Sequence, residues 1–324
     1  MQPSTNVQPE TAEEPQVAPA LTPEATPRGS SVHGLSVDVE DYYHVEAFAD
    51  RITPDQWPGF ASRVGESVRR VLDLLAGFDV RATFFILGYV AEREPEVVRR
   101  IQDARHEVAC HSFNHRCIFR MTPEEFRADT QRGRKAIEDA GGRRVEGYRA
   151  PTFSIVRPSL WALEVLAEEG FFYDSSVFPV HHDVYGIPEA PRFLYNWELG
   201  TGRSIYELPP MTARLWGRNW PVAGGGYLRI LPMWYTRWGV ERVRREGNSS
   251  VMYFHPWELD PEQPRLAGSW KSRLRHYRNL GEMEGRLRQL LRCARFVPLQ
   301  DVLRAQLSIG APPAITPDSL QSPA

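Results

Sequence analysis

The chain has 324 residues, a formal net charge of -2 and ordinary apolar and charged fractions, which suits one large α/β domain with appendages. No basic excess argues for nucleic acid, no polybasic run argues for a membrane surface, and no apolar run reaches the roughly 18 residues of a membrane-spanning helix. Three cysteines, Cys110, Cys117 and Cys293, make an odd count without a CxxC spacing, so a disulfide framework is not expected. With no secretory leader pattern either, the expectation is a soluble cytoplasmic protein.

Taken in chain order, residues 1–30 are rich in Pro, Ala, Thr, Glu and Gln and read as a disordered tail. "GLSVDV" (34–39) reads as a strand. Residues 64–77 place Val64, Val68, Val71, Leu72 and Leu75 on one helical face, with Gly77 as a cap. "VRATFFIL" (80–87) reads as a buried strand, 89–104 as a helix and "HEVACH" (106–111) as a strand. Thr122, Pro123 and Glu125 form a capping box that starts the next helix. Strands follow at 144–149, after Gly170, at 204–209 and at 250–255, with a helix over 158–170. This alternation implies a parallel sheet flanked by helices, and about seven such units fit a (β/α) barrel spanning 31–305. The Trp- and Gly-rich segment 185–248 interrupts the pattern and reads as an insertion over the barrel mouth. Its "AGGGY" lacks the lysine of a phosphate loop. Residues 306–324 read as a second disordered tail.

In such barrels chemistry collects where strands end. Asp38, His111, Arg149, Asp174 and His255 all fall at predicted strand ends. Asp38, Glu40 and Asp41 crowd three carboxylates at the first of them, and strand alternation turns Asp38 and Glu40 to one side. His111 and His115, four apart, face one way on a helical turn, while His106 reads as structural. Two imidazoles and a carboxylate make a three-ligand site for Zn²⁺ or a similar ion. Such an ion lowers the pKa of water from about 15.7 to about 7 and polarises a carbonyl. Asp38 fits a general base, oriented by Arg149. His255 fits the acid that an amine leaving group requires, with Asp174 holding its imidazole.

With these residues in place, "LSVDVEDYYHVEAF", "HSFNH", "GYRAPTFSI", "YDSSVFP", "GGGYLRILP" and "HPWELDP" resemble, in order, the motifs of the NodB-homology polysaccharide deacetylases, carbohydrate esterase family 4. The branch most similar is that associated with exosortase A and exopolysaccharide gene clusters. The resemblance covers about residues 33–303 and implies a distorted seven-stranded (β/α) barrel that hydrolyses N-acetyl groups on a polysaccharide. It implies His111 and His115 as metal ligands, Asp38 as base, Arg149 as its partner and His255 as acid. The metal would be zinc, with cobalt or nickel as alternatives. Where the family commonly has two adjacent aspartates, Val39 follows Asp38, so the metal carboxylate is Glu40 or, alternatively, Asp41. Backbone N–H groups near residues 151–153 are candidate oxyanion donors. The implied partners are an N-acetylated glycan and the exopolysaccharide synthesis machinery. Two other readings stand beside this one: a metal-independent cyclic-amide hydrolase of the allantoinase type, and a non-catalytic glycan-binding subunit.

Overall fold

The computed structural model describes residues 32–320, so the expected tail 1–30 lies outside the described residues. The strands are β1 (His33–Val39), β2 (Thr83–Ile86), β3 (Glu107–Cys110), β4 (Gly147–Tyr148), β5 (Tyr173–Asp174), β6 (Tyr195–Glu198), β7 (Ser204–Glu207), β8 (Thr212–Leu215), β9 (Arg218–Pro221), β10 (Val251–Phe254), β11 (Phe296–Val297) and β12 (Ala314–Ile315). The α-helices are α1 (Val64–Ala76), α2 (Gly88–Arg93), α3 (Pro95–Asp103), α4 (Pro123–Gly141), α5 (Trp161–Glu168), α6 (Gly226–Ile230), α7 (Met233–Arg245), α8 (Trp270–Tyr277), α9 (Met283–Cys293) and α10 (Leu299–Ile309).

A parallel sheet runs β10-β1-β2-β3-β4-β5-β7, and β6 pairs antiparallel on the far side of β7. Those seven parallel strands are the staves of the predicted distorted barrel. The hydrogen-bond ladder does not close. One bridge, Pro210 to Val251, spans the seam between the end of β7 and β10, with the Met211 N–H donating to the Val251 carbonyl at 2.8 Å. β1 to β3 are apolar on both faces because helices cover the outside and barrel packing fills the inside. Leu35, Val37, Val39, Phe84, Phe85 and Ile86 are all fully buried. Outside, α1 buries Val64, Val68, Val71 and Leu75 as its periodicity predicts. Burial of each such side chain stabilises by about 1.5–3 kcal/mol. The Thr122 capping box is present, with the Glu125 N–H donating to Oγ1 at 3.2 Å and the Thr122 N–H to the Glu125 carboxylate at 3.0 Å.

Three expectations need adjustment. The helix expected over 89–104 is two helices, because Glu94 precedes a proline, which disfavours helical backbone there, and it adopts φ -130°, ψ 61°. The span 185–248 is not one insertion, since β7 within it is a barrel strand. The added parts are β6 before it and the β8–β9 hairpin, α6 and α7 after it. Residues 306–320, read as tail from their Pro and Ala content, carry structure: α10 runs to Ile309, β12 extends the sheet beside β6, and Leu320 is buried.

Candidate active site

The register brings the C-terminal ends of the parallel strands level. Asp38 pairs with Phe85, Ile86 with Cys110, Cys110 with Tyr148, Tyr148 with Asp174 and Asp174 with Glu207. Side chains at or just past these positions therefore converge. Glu40, His111 and His115 are buried, and each places a ligand atom within 4.8 Å of the others. His115 Nε2 lies 2.8 Å from Glu40 Oε2, and Glu40 Oε1 accepts from the indole N–H of Trp257 at 3.0 Å. His111 Nδ1 meets the Arg149 carbonyl at 2.8 Å, which fixes it as the N–H and leaves the Nε2 lone pair free to accept. Burial keeps His111 neutral, down at about 4, and the imidazoles of His115, His255 and His111 overcome burial to hold Glu40 well below the usual carboxylate range. A carboxylate and two imidazoles converging in a buried site are a donor set that a divalent cation takes, so these residues fit a metal ion.

The two histidines do not share a helical turn. Residues 111–115 form a loop in which Ser112 (φ 69°) and His115 (φ 53°) take left-handed backbone, a strained conformation that surrounding contacts must hold. Asp129 on α4 holds it: its carboxylate accepts from Ser112 Oγ at 2.7 Å and from the N–H groups of Phe113 at 2.8 Å and Asn114 at 3.2 Å. The helix can approach that closely because position 133 is glycine. A Cβ there would stand 3.1 Å from the Ser112 backbone.

Asp38 is buried and its Oδ1 accepts from Arg149 Nη1 at 2.7 Å. The same nitrogen reaches Ser36 Oγ at 2.7 Å, so Ser36 and Asp38, two apart on β1, share a face. Arg149 also donates through Nε to the Ser175 carbonyl at 3.0 Å and through Nη2 to Ser175 Oγ at 2.8 Å, and its guanidinium lies 4.2 Å from the Phe85 ring centroid. Every guanidinium edge is thus committed, and Asp38 is held in one orientation.

His255 follows β10, with Nε2 3.6 Å from Glu40 Oε1. Its support differs from expectation. Asp174 does not touch it. The Asp174 carboxylate accepts from Ser176 Oγ at 2.6 Å and the Ser176 N–H at 3.1 Å and is hydrogen-bonded to Glu207; burial raises both carboxyls. Glu258 takes the place assigned to Asp174. Its Oε2 lies 3.2 Å from His255 Nδ1 and accepts the His255 N–H at 2.9 Å, while Oε1 pairs with Arg229 Nε. Burial opposes charge on His255, but the hydrogen bond and charge of Glu258, with Glu40 and Asp38, push it up to about 9. The signal for Glu258 was in "HPWE": an N-cap residue, Pro at N1 and Glu at N3 reaching back. No such local pattern announces Arg229, Trp257 or Asp129, which become neighbours only through the fold.

Asp41, the alternative to Glu40, points elsewhere. Its carboxylate accepts from the N–H groups of Tyr42, Arg63 and Val64 at 2.9, 2.7 and 3.1 Å and from Ser62 Oγ at 3.0 Å, so it caps the start of α1. Burial lifts it to about 6 against those four bonds. Of the expected oxyanion donors, residue 151 is proline, and the Phe153 N–H donates to the Ala150 carbonyl at 3.1 Å, which leaves the Thr152 N–H. His106 is structural: Nδ1 accepts from the Ala82 N–H at 3.1 Å. The glycine run 223–227 serves packing. A Cβ on Gly224 would overlap the Tyr253 carbonyl oxygen, and the Gly225 N–H donates to that oxygen at 3.0 Å. This contact lets α6 lie along the end of β10 and deliver Arg229 to Glu258.

The fold and site together define an α/β barrel protein with a buried His–His–carboxylate centre beside an arginine-held aspartate. Residues 52–167 match the family "Polysaccharide deacetylase" and residues 175–304 match a domain of unknown function, DUF3473. Over 124 residues the chain is 32% identical to a peptidoglycan deacetylase of Helicobacter pylori, covering 38% of this chain and 40% of that one. It is 32% identical over 97 residues to a chitooligosaccharide deacetylase of Bradyrhizobium, covering 30% and 42%. The chain thus spans about two fifths of the length of these relatives. Among solved structures, a candidate polysaccharide deacetylase from Mycobacterium smegmatis superposes with TM-score 0.59 at 23% identity over 93% of this chain and 99% of that one. The Puue allantoinase gives the same TM-score at 14% identity over 88% and 93%. The span 52–167 that matches the polysaccharide deacetylase family carries His111, His115 and Arg149.

Proposed function

We propose that the protein is a divalent-metal-dependent hydrolase that removes N-acetyl groups from a glycan, releasing acetate and a free amine. The convergence of Glu40, His111 and His115 on one point, with Asp38 held beside them by Arg149, carries this reading. A divalent ion held by these three residues would supply Lewis acidity and an acidified water. Asp38 keeps one oxygen on Arg149 and turns the other to accept a proton. His255, anchored through Nδ1 by Glu258, presents Nε2 to protonate the departing nitrogen. The Thr152 N–H would donate to developing negative charge, a contribution of about 2.7–4 kcal/mol for one such donor.

The fold is shared equally with an allantoinase, so the donor triad rather than the barrel favours the metal-dependent hydrolase over the metal-independent cyclic-amide reading. The finer assignment, an exported N-acetylated polysaccharide made by an exopolysaccharide system, draws support from the motifs "GGGYLRILP" and "HPWELDP". The test is acetate release from chitooligosaccharides and from an N-acetylated exopolysaccharide, with metal content measured on the same sample and allantoin ring opening run in parallel. Asp38→Asn should abolish acetate release while retaining metal. Absence of acetate from every N-acetylated glycan by metal-loaded protein would overturn the reading, and a retained affinity for those glycans would then identify a binding subunit.

A further inference from the structure

The helix α8 is anchored by its inner side to the site. His276 is buried, stacked on Trp257 at 4.2 Å between ring centroids, and its Nε2 meets Gln263 Oε1 at 2.6 Å. Arg229 Nη1 donates to the carbonyls of Arg275, His276 and Arg278 at 3.0, 2.7 and 3.2 Å, which ties down the helix C-terminus. On the outer side the Lys271 ammonium lies over the Trp270 ring, 5.9 Å from its centroid. Trp270 is 71% exposed and Leu274 50% exposed, one helical turn apart on the same face.

At about 100° per residue, Trp270 and Leu274 fall within about 40° of each other, roughly opposite His276. Arg273 lies about 60° to one side of Trp270, and Lys271 and Arg275 lie on the other side of Leu274. An apolar stripe is thus flanked by cations on both edges. Residues 263–281 contain no aspartate or glutamate, whereas Arg265, Lys271, Arg273, Arg275 and Arg278 are all exposed and make no ion pair among the described residues. The near-neutral charge of the whole chain conceals this local concentration.

We propose that the outer face of α8 docks on an anionic lipid bilayer, lying in the plane of the interface. The apolar pair would enter the boundary of headgroups and acyl chains, and the flanking cations would reach phosphate groups. A soluble polyanion would engage the cations but has no use for the Trp270–Leu274 stripe, and this separates the two occupants. No helix among the described residues is long and apolar enough to cross a membrane, so attachment through this helix is peripheral. Because α8 forms the outer support of Trp257, docking would set the site beside the membrane surface. If the deacetylase reading holds, this favours a glycan still attached to lipid as the substrate; the docking itself does not depend on that reading.

The experiment is co-sedimentation of the full chain with vesicles of phosphatidylcholine alone and with phosphatidylglycerol added. Partitioning onto the anionic vesicles should exceed that onto neutral ones at least about tenfold and weaken with salt. The double variant K271Q/R273Q should lose about 25-fold, or about fivefold per charge. W270S/L274S should also abolish most binding, with thermal stability and acetate release from a soluble oligosaccharide unchanged, since none of these side chains reaches the site or the core. Equal partitioning onto both vesicle types overturns the proposal. So does a result in which only the charge variant matters and a soluble acidic polysaccharide competes fully, because the surface then binds polyanions and not membranes.

Discussion

Glu258→Gln tests the arrangement around His255 most directly. The wild-type carboxylate accepts on both sides: Oε2 from the His255 N–H at 2.9 Å and facing Nδ1 at 3.2 Å, and Oε1 from Arg229 Nε. A glutamine offers one acceptor and one NH₂. Whichever way the amide turns, its NH₂ faces a donor, either Arg229 or the His255 backbone. Glu258 is fully buried, so no water repairs the mismatch. The charge-assisted bond to the imidazole, about 1.5–3 kcal/mol, is also lost. If His255 must be held and charged to protonate the leaving amine, kcat should fall about 10- to 150-fold with KM and metal content little changed. The unsatisfied donor should cost about 1–3 kcal/mol of stability in addition. Asp174→Asn is the control. Asp174 touches Ser176 and Glu207 rather than His255, so that variant should change stability far more than kcat. The measurement is steady-state acetate release with thermal unfolding monitored on the same preparations. Full kcat in Glu258→Gln, together with a collapse in Asp174→Asn, would refute the argument and return the imidazole's support to Asp174.

Three other outcomes are expected. Alanine at His111, His115 or Glu40 should each lower zinc affinity beyond the about 10- to 100-fold typical of outer-shell changes, and Trp257→Phe, which removes the indole N–H from Glu40 Oε1, should fall within that range, as read by competition with a chromophoric chelator. Arg149→Met should destabilise by about 3–5 kcal/mol in urea titration, because it strands Asp38 in a buried site without its partner. His106 accepts the Ala82 N–H and burial lowers it from 6.5 to about 4, so the unfolded chain binds a proton that the folded chain does not between those values. Stability from this group is complete above pH about 6.5 and falls by about 3 kcal/mol as pH drops to about 4. His106→Asn, which keeps an acceptor that does not titrate, should flatten that part of the pH profile in denaturation experiments, and an unchanged slope would count against the assignment.

The contrast between Glu258 and Asp174 shows where a sequence is legible. Strand ends were readable because period and residue type act locally: alternation on β1 put Ser36 and Asp38 on one face, and Arg149 Nη1 does reach both. The apolar face of α1 and the start of α4 were readable for the same reason, since apolar spacing and the Thr122 capping box are decided within a few residues. A spacing of four between histidines, however, has two physical solutions. A helical turn brings such a pair together at no backbone cost, and that is the reading the spacing suggests. The chain uses a loop instead, with left-handed residues at Ser112 and His115, and that loop is stable only because Asp129 arrives from α4 and Gly133 lets it come close. The partner of His255 was ambiguous in the same sense. A carboxylate at a neighbouring strand end and a carboxylate three residues along the chain are both within reach, and only packing decides. Here the decision is made by α6, which the glycines at 224 and 225 admit against Tyr253 and which places Arg229 on the far oxygen of Glu258. A buried glutamate pinned by an arginine on one side retains its charge and is held down to about 2, so it can support an imidazole on the other. Asp174, buried against Glu207, is raised instead and is the poorer electrostatic partner. The segment that interrupts the barrel pattern therefore reaches the centre of the site, and changes there should be felt in the chemistry as well as in the choice of glycan.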